Sequence, residues 1–453
     1  MNGVNDSLKN STNFKNVLDF ISSKGSHKSY GSVYDFLTET GKQLPQDQAF
    51  FMFDLADILW KTQLWYEKLP NVAPYYAVKA NADPVLMKLF VLLGYGFDCS
   101  TEGEIRLALK SGADPRKIIF AHTIKTHKAL EYASSVGVDF MTFDTKEELL
   151  KISKDFPTAR LVLRLKAEST QEFYNLSKKF GCELYEAEDL LLQAKNLNLN
   201  VVGVSFHVGA LIECSEIYTS AIEKSRQVFD TAQKLGFKFT IMDIGAGFFG
   251  STEKEHVFHK VSQDIKRSLK ENFPNGDVEF IAEPGCYCVA SAVSLTTSIL
   301  GKKSVNSKET NQISREYFVN DSYYGSFFEH HDLYDVKPVP VLNPYELKER
   351  TKYKSKIWGQ TCCSEDVAKE ECVLPDMEEG EFIQWLNMGA YARGVASNFT
   401  IVPYPVHKHV FIHNPRLKLN NIPNLSEVME YISQVSVLIK QNGEENKLMP
   451  IRE

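Results

Sequence analysis

Eight short apolar segments constrain the fold of this chain more than any other feature. They alternate with amphipathic stretches of helical periodicity between residues 47 and 290, and most of them are apolar on both faces. Strands of that kind are typical of a parallel sheet covered by helices. The number and alternation of the segments predict a closed (β/α)8 barrel of the TIM type. The segments are YYAVKA (75–80), FDCS (97–100), KIIFAH (117–122), FMTF (140–143), LVLRLK (161–166), VVGVSFHVG (201–209), FTIMDIGAG (239–247) and EFIAEPG (279–285).

The pattern changes after residue 290, where strands alternate polar and apolar residues and prolines cluster, as in VKPVPVLNP. This predicts a mostly antiparallel β domain over residues 291–453, preceded by the barrel over 47–290. Residues 1–46 are expected to form a polar tail and then a strand, within YGSVYDFLTE, that joins the β domain. The run KKSVNSKETNQISR (302–315) is expected to be a mobile loop. A length of 453 residues suits two domains.

Composition argues against several classes of partner. A net charge of −7 over the whole chain gives no reason to expect nucleic acid or a membrane surface as partner. The longest apolar runs, such as VASAVSL, fall well short of a spanning helix, and the polar N-terminus lacks the apolar core of a signal peptide. Eight scattered cysteines fit a reducing, cytoplasmic location. Cys286 and Cys288 on a predicted strand are expected to be buried thiols rather than metal ligands, because no histidine lies nearby.

A lysine inside the apolar run PYYAVKAN raises a question of chemistry. Burying the ammonium group of Lys79 is costly unless the amine is paired or neutral. One interpretation is an edge strand whose lysine extends to water. The other is a lysine desolvated so that its amine can form a Schiff base with a carbonyl compound. The octapeptide alone supports both.

Residues able to bind and activate a cofactor fall at the predicted carboxyl ends of the strands, where barrel enzymes place their sites. A lysine, a histidine, a carboxylate and a glycine-containing turn in one mouth match the needs of pyridoxal 5′-phosphate. The turn can direct N–H groups at a phosphate, and a carboxylate can keep the pyridine nitrogen protonated. A GAG turn alone is more often a plain turn, so the prediction depends on the set. The set is Lys79, Asp98, Glu104, Arg164, His207, Gly245-Ala246-Gly247 and Glu283.

The order of several blocks resembles the eukaryotic ornithine decarboxylase family. The blocks are PYYAVKAN, GFDCSTEGEI, LVLRL, LSKKFG, VVGVSFHVG, DIGAGFFG, AEPG, NDSYYGSF, WGQTCC and NMGAY. They run from about residue 30 to 415. The family includes the related fold-type III pyridoxal-phosphate decarboxylases and the inactive antizyme inhibitors. The resemblance implies a barrel plus a β domain, and a homodimer with active sites at the subunit interface.

The resemblance also implies a role for each matching residue. Lys79 would form the Schiff base, Glu283 would face the pyridine nitrogen, and His207 would stack on the ring. Cys362 would reach in from the other subunit and protonate the carbanion left by CO2. Lys178 or Lys179 would help to hold the dimer. The other implied residues line the cofactor site (Asp98, Glu104, Arg164, Gly245, Ala246, Gly247, Gly285 and Tyr391, the last on phosphate) or the substrate site (Asp332, Cys363 and Tyr324).

Four departures from the family pattern weaken the site. Ala210 replaces a serine and Cys286 an arginine, which removes two phosphate contacts worth together about 3–6 kcal/mol. Ala246 adds a methyl group to the glycine turn. Cys363 replaces the aspartate that pairs with the distal ammonium of ornithine, so ornithine should bind poorly unless Asp332, Glu329 or Glu365 takes over.

Two functions follow from the resemblance. The first is pyridoxal-phosphate-dependent decarboxylation of an amino acid, from ornithine to putrescine in polyamine biosynthesis or of a related substrate. The second is an inactive paralogue that binds antizyme. His122-Thr123, in the basic stretch AHTIKTHK, replaces an asparagine-proline pair in the region where the family binds antizyme; a solvated face is the simpler interpretation of that stretch.

Overall fold

A computed structural model describes residues 29–167, 176–306, 312–328, 330 and 336–440. These residues form two compact units. The barrel unit is Lys61–Cys288, and the sheet unit consists of the described residues of Met1–Trp60 and Val289–Glu453.

Strands account for the cores of both units. In chain order they are β1 (Ser29–Tyr30), β2 (Phe50–Asp54), β3 (Val72–Ala77), β4 (Gly96–Cys99), β5 (Ile118–Phe120), β6 (Phe140–Phe143), β7 (Arg160–Leu165), β8 (Asn200–Phe206), β9 (Ile241–Asp243), β10 (Glu279–Ala282), β11 (Val293–Asn306), β12 (Ile313–Val319), β13 (Pro338–Pro340), β14 (Lys352–Trp358), β15 (Val367–Pro375), β16 (Phe382–Trp385), β17 (Val406–Ile412) and β18 (Val437–Ile439).

Helices are concentrated between the strands of the barrel unit. In chain order the α-helices are α1 (Val33–Gln43), α2 (Leu55–Lys68), α3 (Pro84–Leu92), α4 (Glu102–Ser111), α5 (His127–Ser135), α6 (Lys146–Asp155), α7 (Ala187–Asn196), α8 (Glu216–Lys234), α9 (Glu255–Asn272), α10 (Cys286–Val289), α11 (Pro344–Glu349) and α12 (Leu425–Val435).

The barrel unit confirms the predicted (β/α)8 architecture. Strands β3 to β10 pair in parallel in sequence order, and β10 pairs with β3 to close the barrel. Buried side chains from successive strands pack together in one cluster, among them Ile119, Phe140, Val162 and Ile281. Closure therefore places the first and last strands side by side, although nearly the whole unit separates them in sequence.

Capping side chains start the helices that follow several barrel strands, so the chain turns sharply from strand to helix at the carboxyl end of the barrel. Asp83 accepts hydrogen bonds from the Val85 and Leu86 N–H groups, and Thr101, Thr126 and Thr145 cap α4, α5 and α6 in the same way. Each cap satisfies backbone N–H groups that the first helical turn leaves unpaired. The short turns hold the residues that follow each strand close to the barrel mouth.

The sheet unit confirms the predicted second domain, because its antiparallel pairings outnumber its parallel ones among the described residues. The long strand β11 pairs antiparallel with β2, β12 and β16. The strand predicted within YGSVYDFLTE is wrong for most of that segment: the strand that pairs with β18 is only Ser29–Tyr30, and Val33–Gln43 form helix α1, which Ser32 caps.

The structure differs from the sequence-based predictions at several boundaries. Residues 47–60 were assigned to the barrel, but β2 pairs with β11 and β17, because the apolar run FFMFD fits the sheet equally well. Of the predicted loop 302–315, Lys302–Asn306 lie on β11 and pair with β12, which begins at Ile313, whereas residues 307–311 lie outside the described residues. Cys286 and Cys288 lie on the short helix α10, not on a strand.

No helix among the described residues has the length and apolar character needed to cross a membrane.

Glycine 203 permits the close approach of β8 and β9. A Cβ atom at this position would lie 2.0 Å from the Ile241 carbonyl oxygen, which belongs to the backbone and cannot move aside. We expect Gly203→Ala to lower the free energy of unfolding by about 1–3 kcal/mol or more. Gly103→Ala is the matched control, because its Cβ would meet only Thr101 Oγ1 at 3.7 Å on helix α4. Urea unfolding of both variants measures the effect, and a Gly203→Ala variant as stable as Gly103→Ala would contradict it.

Candidate active site

Lys79 lies immediately after β3, in a single 3-10 turn formed by Val78–Ala80. The prediction that it sits within a strand is wrong, since the strand ends at Ala77. Its amine contacts the carboxylate of Asp98, which follows from the parallel pairing of Ala77 with Asp98 on β4. The Lys79 side chain is 37% exposed and that of Asp98 is fully buried. The lysine is thus held by charge at the barrel mouth with its amine within reach of a ligand.

His207 follows β8 and is electrically neutral. Burial lowers its pKa well below the usual range, and the positive charges of Arg164 and Lys79 lower it further. Its Nδ1 accepts a hydrogen bond from the Gly209 N–H at 3.1 Å. The ring proton is therefore assigned to Nε2. A neutral imidazole with a fixed tautomer suits stacking on a flat ring better than an imidazolium would.

Glu283 follows β10, and burial raises its pKa well above the usual range. The negative charge of Asp243 raises the pKa of Glu283 further. Asp243 is buried at the end of β9, and burial raises its own pKa to about 6. The backbone links the two residues, because the Gly245 N–H donates to Asp243 Oδ1 at 2.9 Å and the Glu283 N–H donates to the Gly245 carbonyl at 2.7 Å. Lys79 lowers the pKa of Glu283, so the lysine and this carboxyl face the same space.

The glycine-containing turn binds back to the barrel through its carbonyl groups. Tyr218 Oη donates to the Ala246 carbonyl at 2.9 Å, and the Ile212 N–H donates to the Gly247 carbonyl at 2.9 Å. In a trans peptide the N–H group points opposite to the carbonyl, so the N–H groups of Gly247 and Phe248 point away from these partners. They are the donors this loop offers to an anion.

Both glycines of the turn are needed. Gly245 and Gly247 have φ values of 64° and 116°, and a Cβ at Gly247 would lie 2.6 Å from Tyr218 Oη. At Gly285 a Cβ would crowd Ala80 at 3.0 Å, so this glycine keeps the loop after β10 close to the Lys79 turn.

Arg164 and Glu104 complete the mouth. Arg164 lies on β7 with its guanidinium 5.0 Å from the centre of the Phe180 ring. Burial raises the pKa of Glu104, and Asp98 and Lys79 both act on it electrostatically. The structure therefore places at or near the carboxyl ends of their strands Lys79, Asp98, Arg164, His207, the glycine turn and Glu283.

Sequence reasoning missed Asp243. An aspartate directly before a glycine turn is ordinary turn chemistry, so the motif DIGAG did not single it out. A usable signal was present: the residue ends an apolar strand of the barrel, where side chains turn toward the mouth.

The remaining predicted residues belong to the sheet unit. Cys362 is exposed, whereas Cys363 is half-buried with its Sγ 3.1 Å from Tyr324 Oη. Buried Asp366 anchors their loop by accepting the Thr361 N–H at 2.8 Å and the Tyr323 N–H at 2.7 Å. Tyr391 has a φ of 56°, a strained value for a residue with a side chain.

Asp332 and Glu329 lie outside the described residues. Lys179 has its amine 5.0 Å from the centre of the Phe180 ring.

Comparison with known proteins agrees with this geometry. Residues 55–290 match the family described as pyridoxal-dependent decarboxylase, pyridoxal binding domain. The chain is 39% identical over 388 residues to antizyme inhibitor 2 of Xenopus laevis, covering 82% of this chain and 84% of that protein. It is 40% identical over 361 residues to ornithine decarboxylase of Rattus norvegicus, covering 78% of each.

The fold matches as well. The arginine decarboxylase of Paramecium bursaria Chlorella virus superposes with a TM-score of 0.78 at 30% identity, covering 83% of this chain and 99% of that one. The chain belongs to the pyridoxal-dependent decarboxylase family. Its barrel unit is therefore a pyridoxal-binding domain, and pyridoxal 5′-phosphate is the cofactor to test against the residues present.

The residues at the mouth fit that cofactor. Asp98 Oδ1 and Asp243 Oδ2 are buried polar atoms without a hydrogen-bond partner among the described residues, as expected where a polar ligand is to be received. The amine of Lys79, the carboxyl of Glu283 and the outward N–H groups of the turn supply the expected donor set. The phosphate end is weaker, because Ala210 and Cys286 stand where the family resemblance expected a serine and an arginine.

Restoring the arginine tests the weak phosphate end. We expect Cys286→Arg to tighten pyridoxal-phosphate binding about tenfold to a hundredfold, the equivalent of one hydrogen bond to a charged group. The dissociation constant is measured by titrating cofactor-free protein and following the absorbance of the bound form. Leu150→Arg, on an exposed face of helix α6, controls for added charge. Equal affinity in Cys286→Arg and Leu150→Arg would show that Cys286 does not face the phosphate.

Proposed function

We propose that this protein catalyses the pyridoxal-phosphate-dependent decarboxylation of an amino acid. The observation that carries the proposal is the convergence of Lys79, Glu283 and His207 on one barrel mouth beside a glycine turn whose N–H groups point outward. Family membership supports it, because the relatives include ornithine decarboxylase and arginine decarboxylase.

The bound cofactor would supply an aldehyde for covalent attachment and a protonated ring that accepts electrons when CO2 leaves. The residues of this chain do the rest. Asp98 holds the Lys79 amine in place, and the neutral ring of His207 can cover one face of the ligand. Glu283 can hydrogen-bond the ring nitrogen and stabilise its positive charge. The N–H groups of Gly247 and Phe248 can bind the phosphate.

Cys362 is the proposed proton donor to the carbon that has lost CO2. A thiol is a competent acid near neutral pH, and Cys362 is exposed on a loop that Asp366 holds in place. By resemblance the donor comes from the other subunit, so we propose a homodimer in which each sheet unit completes the site of its partner. Free thiols at all eight cysteines support a cytoplasmic location.

The proposed substrate has a side chain without a distal ammonium. Cys363 replaces the carboxylate that would pair with one, and its neighbours Tyr324 and Phe399 are uncharged, their ring centres 4.7 Å apart. Asp332 stays a proposed substrate contact, and a role for it would favour ornithine.

Release of CO2 from a panel of amino acids tests the function. We expect activity on at least one of ornithine, lysine, arginine and apolar amino acids, because the barrel residues are in place. Lys79→Ala should lose more than about 1,000-fold in kcat, since covalent attachment and proton transfer both depend on this amine. Lys154→Ala, a change at an exposed position of helix α6 outside the site, is the control. No CO2 release across the panel would overturn the proposal.

Replacing Cys363 tests the substrate class. Cys363→Asp should raise kcat/KM for ornithine relative to apolar amino acids by about a hundredfold or more, because a buried charge pair broken at one partner costs roughly 3–5 kcal/mol. Cys372→Asp, on β15, is the control. An unchanged preference in Cys363→Asp would remove this residue from the substrate wall.

A second candidate function is binding of antizyme without catalysis. It is favoured by the 39% identity to antizyme inhibitor 2 and by the loss of the arginine and aspartate at positions 286 and 363. Affinity capture with immobilised antizyme tests it directly. Retention of the protein on immobilised antizyme, together with no CO2 release from any amino acid of the panel, would favour this function. A protein that immobilised antizyme does not retain would exclude it.

A further inference from the structure

A cavity of about 200 Å3 lies within the sheet unit, between the last turn of helix α1 and the sheet. Its walls include Phe50 of β2 and Phe382 of β16, and the exposed residues Lys42 and Gln46 lie at its rim. An engineered apolar cavity of about 150 Å3 in another protein holds one benzene molecule. The cavity of this chain is therefore large enough for a single six-membered ring with one small substituent.

Strand β11 supplies the floor of this cavity. Thr296 of β11 pairs with Phe50 on one side, and Ser298 pairs with Phe382 on the other. All four residues line the cavity. Residues two apart on a strand share a face, so the hydroxyl groups of Thr296 and Ser298 lie on the face that also carries the two phenyl rings. The cavity thus combines apolar walls with a polar floor.

The hydroxyl of Thr296 is a buried group that a ligand can engage. Thr296 is 1% exposed, and its Oγ1 has no hydrogen-bond partner in the described part of the chain. Neighbouring hydroxyls on β11 are paired: Ser294 Oγ accepts the Gln384 side-chain N–H at 2.8 Å. Thr297 Oγ1 accepts the Trp385 indole N–H at 3.0 Å. Because an unpaired buried hydroxyl is unfavourable, Thr296 suits a site where a polar group of a ligand completes its hydrogen bonding.

Asn320 adds a second polar group with remaining hydrogen-bonding capacity. Its Oδ1 accepts the Ser298 N–H at 2.8 Å, and its Nδ2 donates to the Gln46 carbonyl at 2.9 Å. A carboxamide has two N–H donors and two acceptor lone pairs, so one of each remains after these contacts. The same two bonds fix the Asn320 side chain beside the floor and hold the loop of Gln46 in place. This part of the site is therefore formed before a ligand binds.

The charge distribution favours an uncharged ligand. Among the described residues that line the cavity, Lys42 alone has a charged side chain, and it is exposed to solvent. A charged group on the neutral floor would lose its hydration without a partner of opposite charge. An uncharged carboxamide loses less, and it offers an acceptor to the Thr296 hydroxyl and both a donor and an acceptor to Asn320.

We propose that this cavity binds a small uncharged molecule, about the size of one aromatic ring, that carries a carboxamide group. The ring contacts Phe50 and Phe382, and the carboxamide hydrogen-bonds to Thr296 and Asn320. The proposal is independent of the proposed function, because every residue that lines the cavity belongs to the sheet unit and none belongs to the barrel mouth.

Ligand-observed 19F NMR on the full-length protein tests the proposal with three probes of similar shape. They are 4-fluorobenzamide, 4-fluorobenzoate and 4-fluorobenzylamine, which are neutral, negative and positive near pH 7. We expect the amide to bind with a dissociation constant of about 1 mM, within the range for a ligand of about ten non-hydrogen atoms. The two ions should bind at least about tenfold more weakly. An amide that does not bind, or an ion that binds as tightly as the amide, would overturn the proposal.

Thr296→Val removes the floor hydroxyl and keeps a β-branched side chain in the strand. The affinity for 4-fluorobenzamide should fall about threefold to tenfold, the equivalent of one hydrogen bond. Thr351→Val, at an exposed position of the sheet unit outside the cavity, is the matched control and should bind the amide like the wild type. Equal affinities of Thr296→Val and Thr351→Val would show that the amide does not reach the floor, and would overturn the proposal.

A second measurement uses only the wild-type protein and so does not depend on how the variants fold. In crystals soaked with 4-bromobenzamide, the anomalous scattering of bromine locates the probe. Bromine within the cavity, next to Phe50 and Phe382, is the expected result. Bromine found only elsewhere, or only ordered water in the cavity, would overturn the proposal.

Discussion

The pairing of β10 with β3 is the constraint on which the site depends. It closes the barrel and sets the end of the last strand beside the end of the first, with Ala282 opposite Pro74. Lys79 and Glu283, about as far apart in sequence as the barrel unit allows, become neighbours only through this closure. Without the pairing of β10 with β3, Lys79 would be an exposed cation next to Asp98 alone. Glu283 would then be a buried acid with no lysine beside it.

Burial, and not the net charge of the chain, determines which side chains at the barrel mouth are charged. Asp98, Asp243 and Glu283 are buried together, which would be unfavourable if all were ionised and unpaired. One is balanced by Lys79, and burial raises the pKa of the other two. Burial, together with the positive charges of Arg164 and Lys79, lowers the pKa of His207 and keeps it neutral. The arrangement combines a tethered amine, a neutral aromatic ring and a carboxyl pair, which together suit an electron-accepting ring with a positive nitrogen.

The weaker end of the site is the one that binds phosphate. The backbone of the turn is preserved, with Gly245 and Gly247 in the left-handed region and the carbonyls of Ala246 and Gly247 bonded into the barrel. The side-chain ligands expected from the resemblance are missing at Ala210 and Cys286. The residues that the family resemblance expects around the cofactor ring are present, whereas two side chains that it expects around the phosphate are replaced. Such a site fits an enzyme with reduced cofactor affinity, and it also fits a protein that has lost catalysis.

The sequence was sufficient to predict the barrel, because strands apolar on both faces and separated by helices have few alternatives. It was also sufficient to place Lys79, His207 and Glu283 at one mouth, because parallel strands end on the same side. Local detail was harder to predict. The run FFMFD satisfies a barrel strand and a sheet strand equally well, so the start of the barrel was placed too early. Asp243 was missed because an aspartate before a glycine turn is ordinary turn chemistry, although this one ends an apolar strand of the barrel.

The central claim is that Lys79 carries the cofactor. Borohydride reduction makes the bond between a lysine amine and the cofactor aldehyde carbon permanent, and peptide mass spectrometry then locates it. We expect the mass of the reduced cofactor on the peptide containing Lys79 and on no other lysine in comparable amount. A reduced adduct on a different lysine, or none after saturation with pyridoxal phosphate, would contradict it.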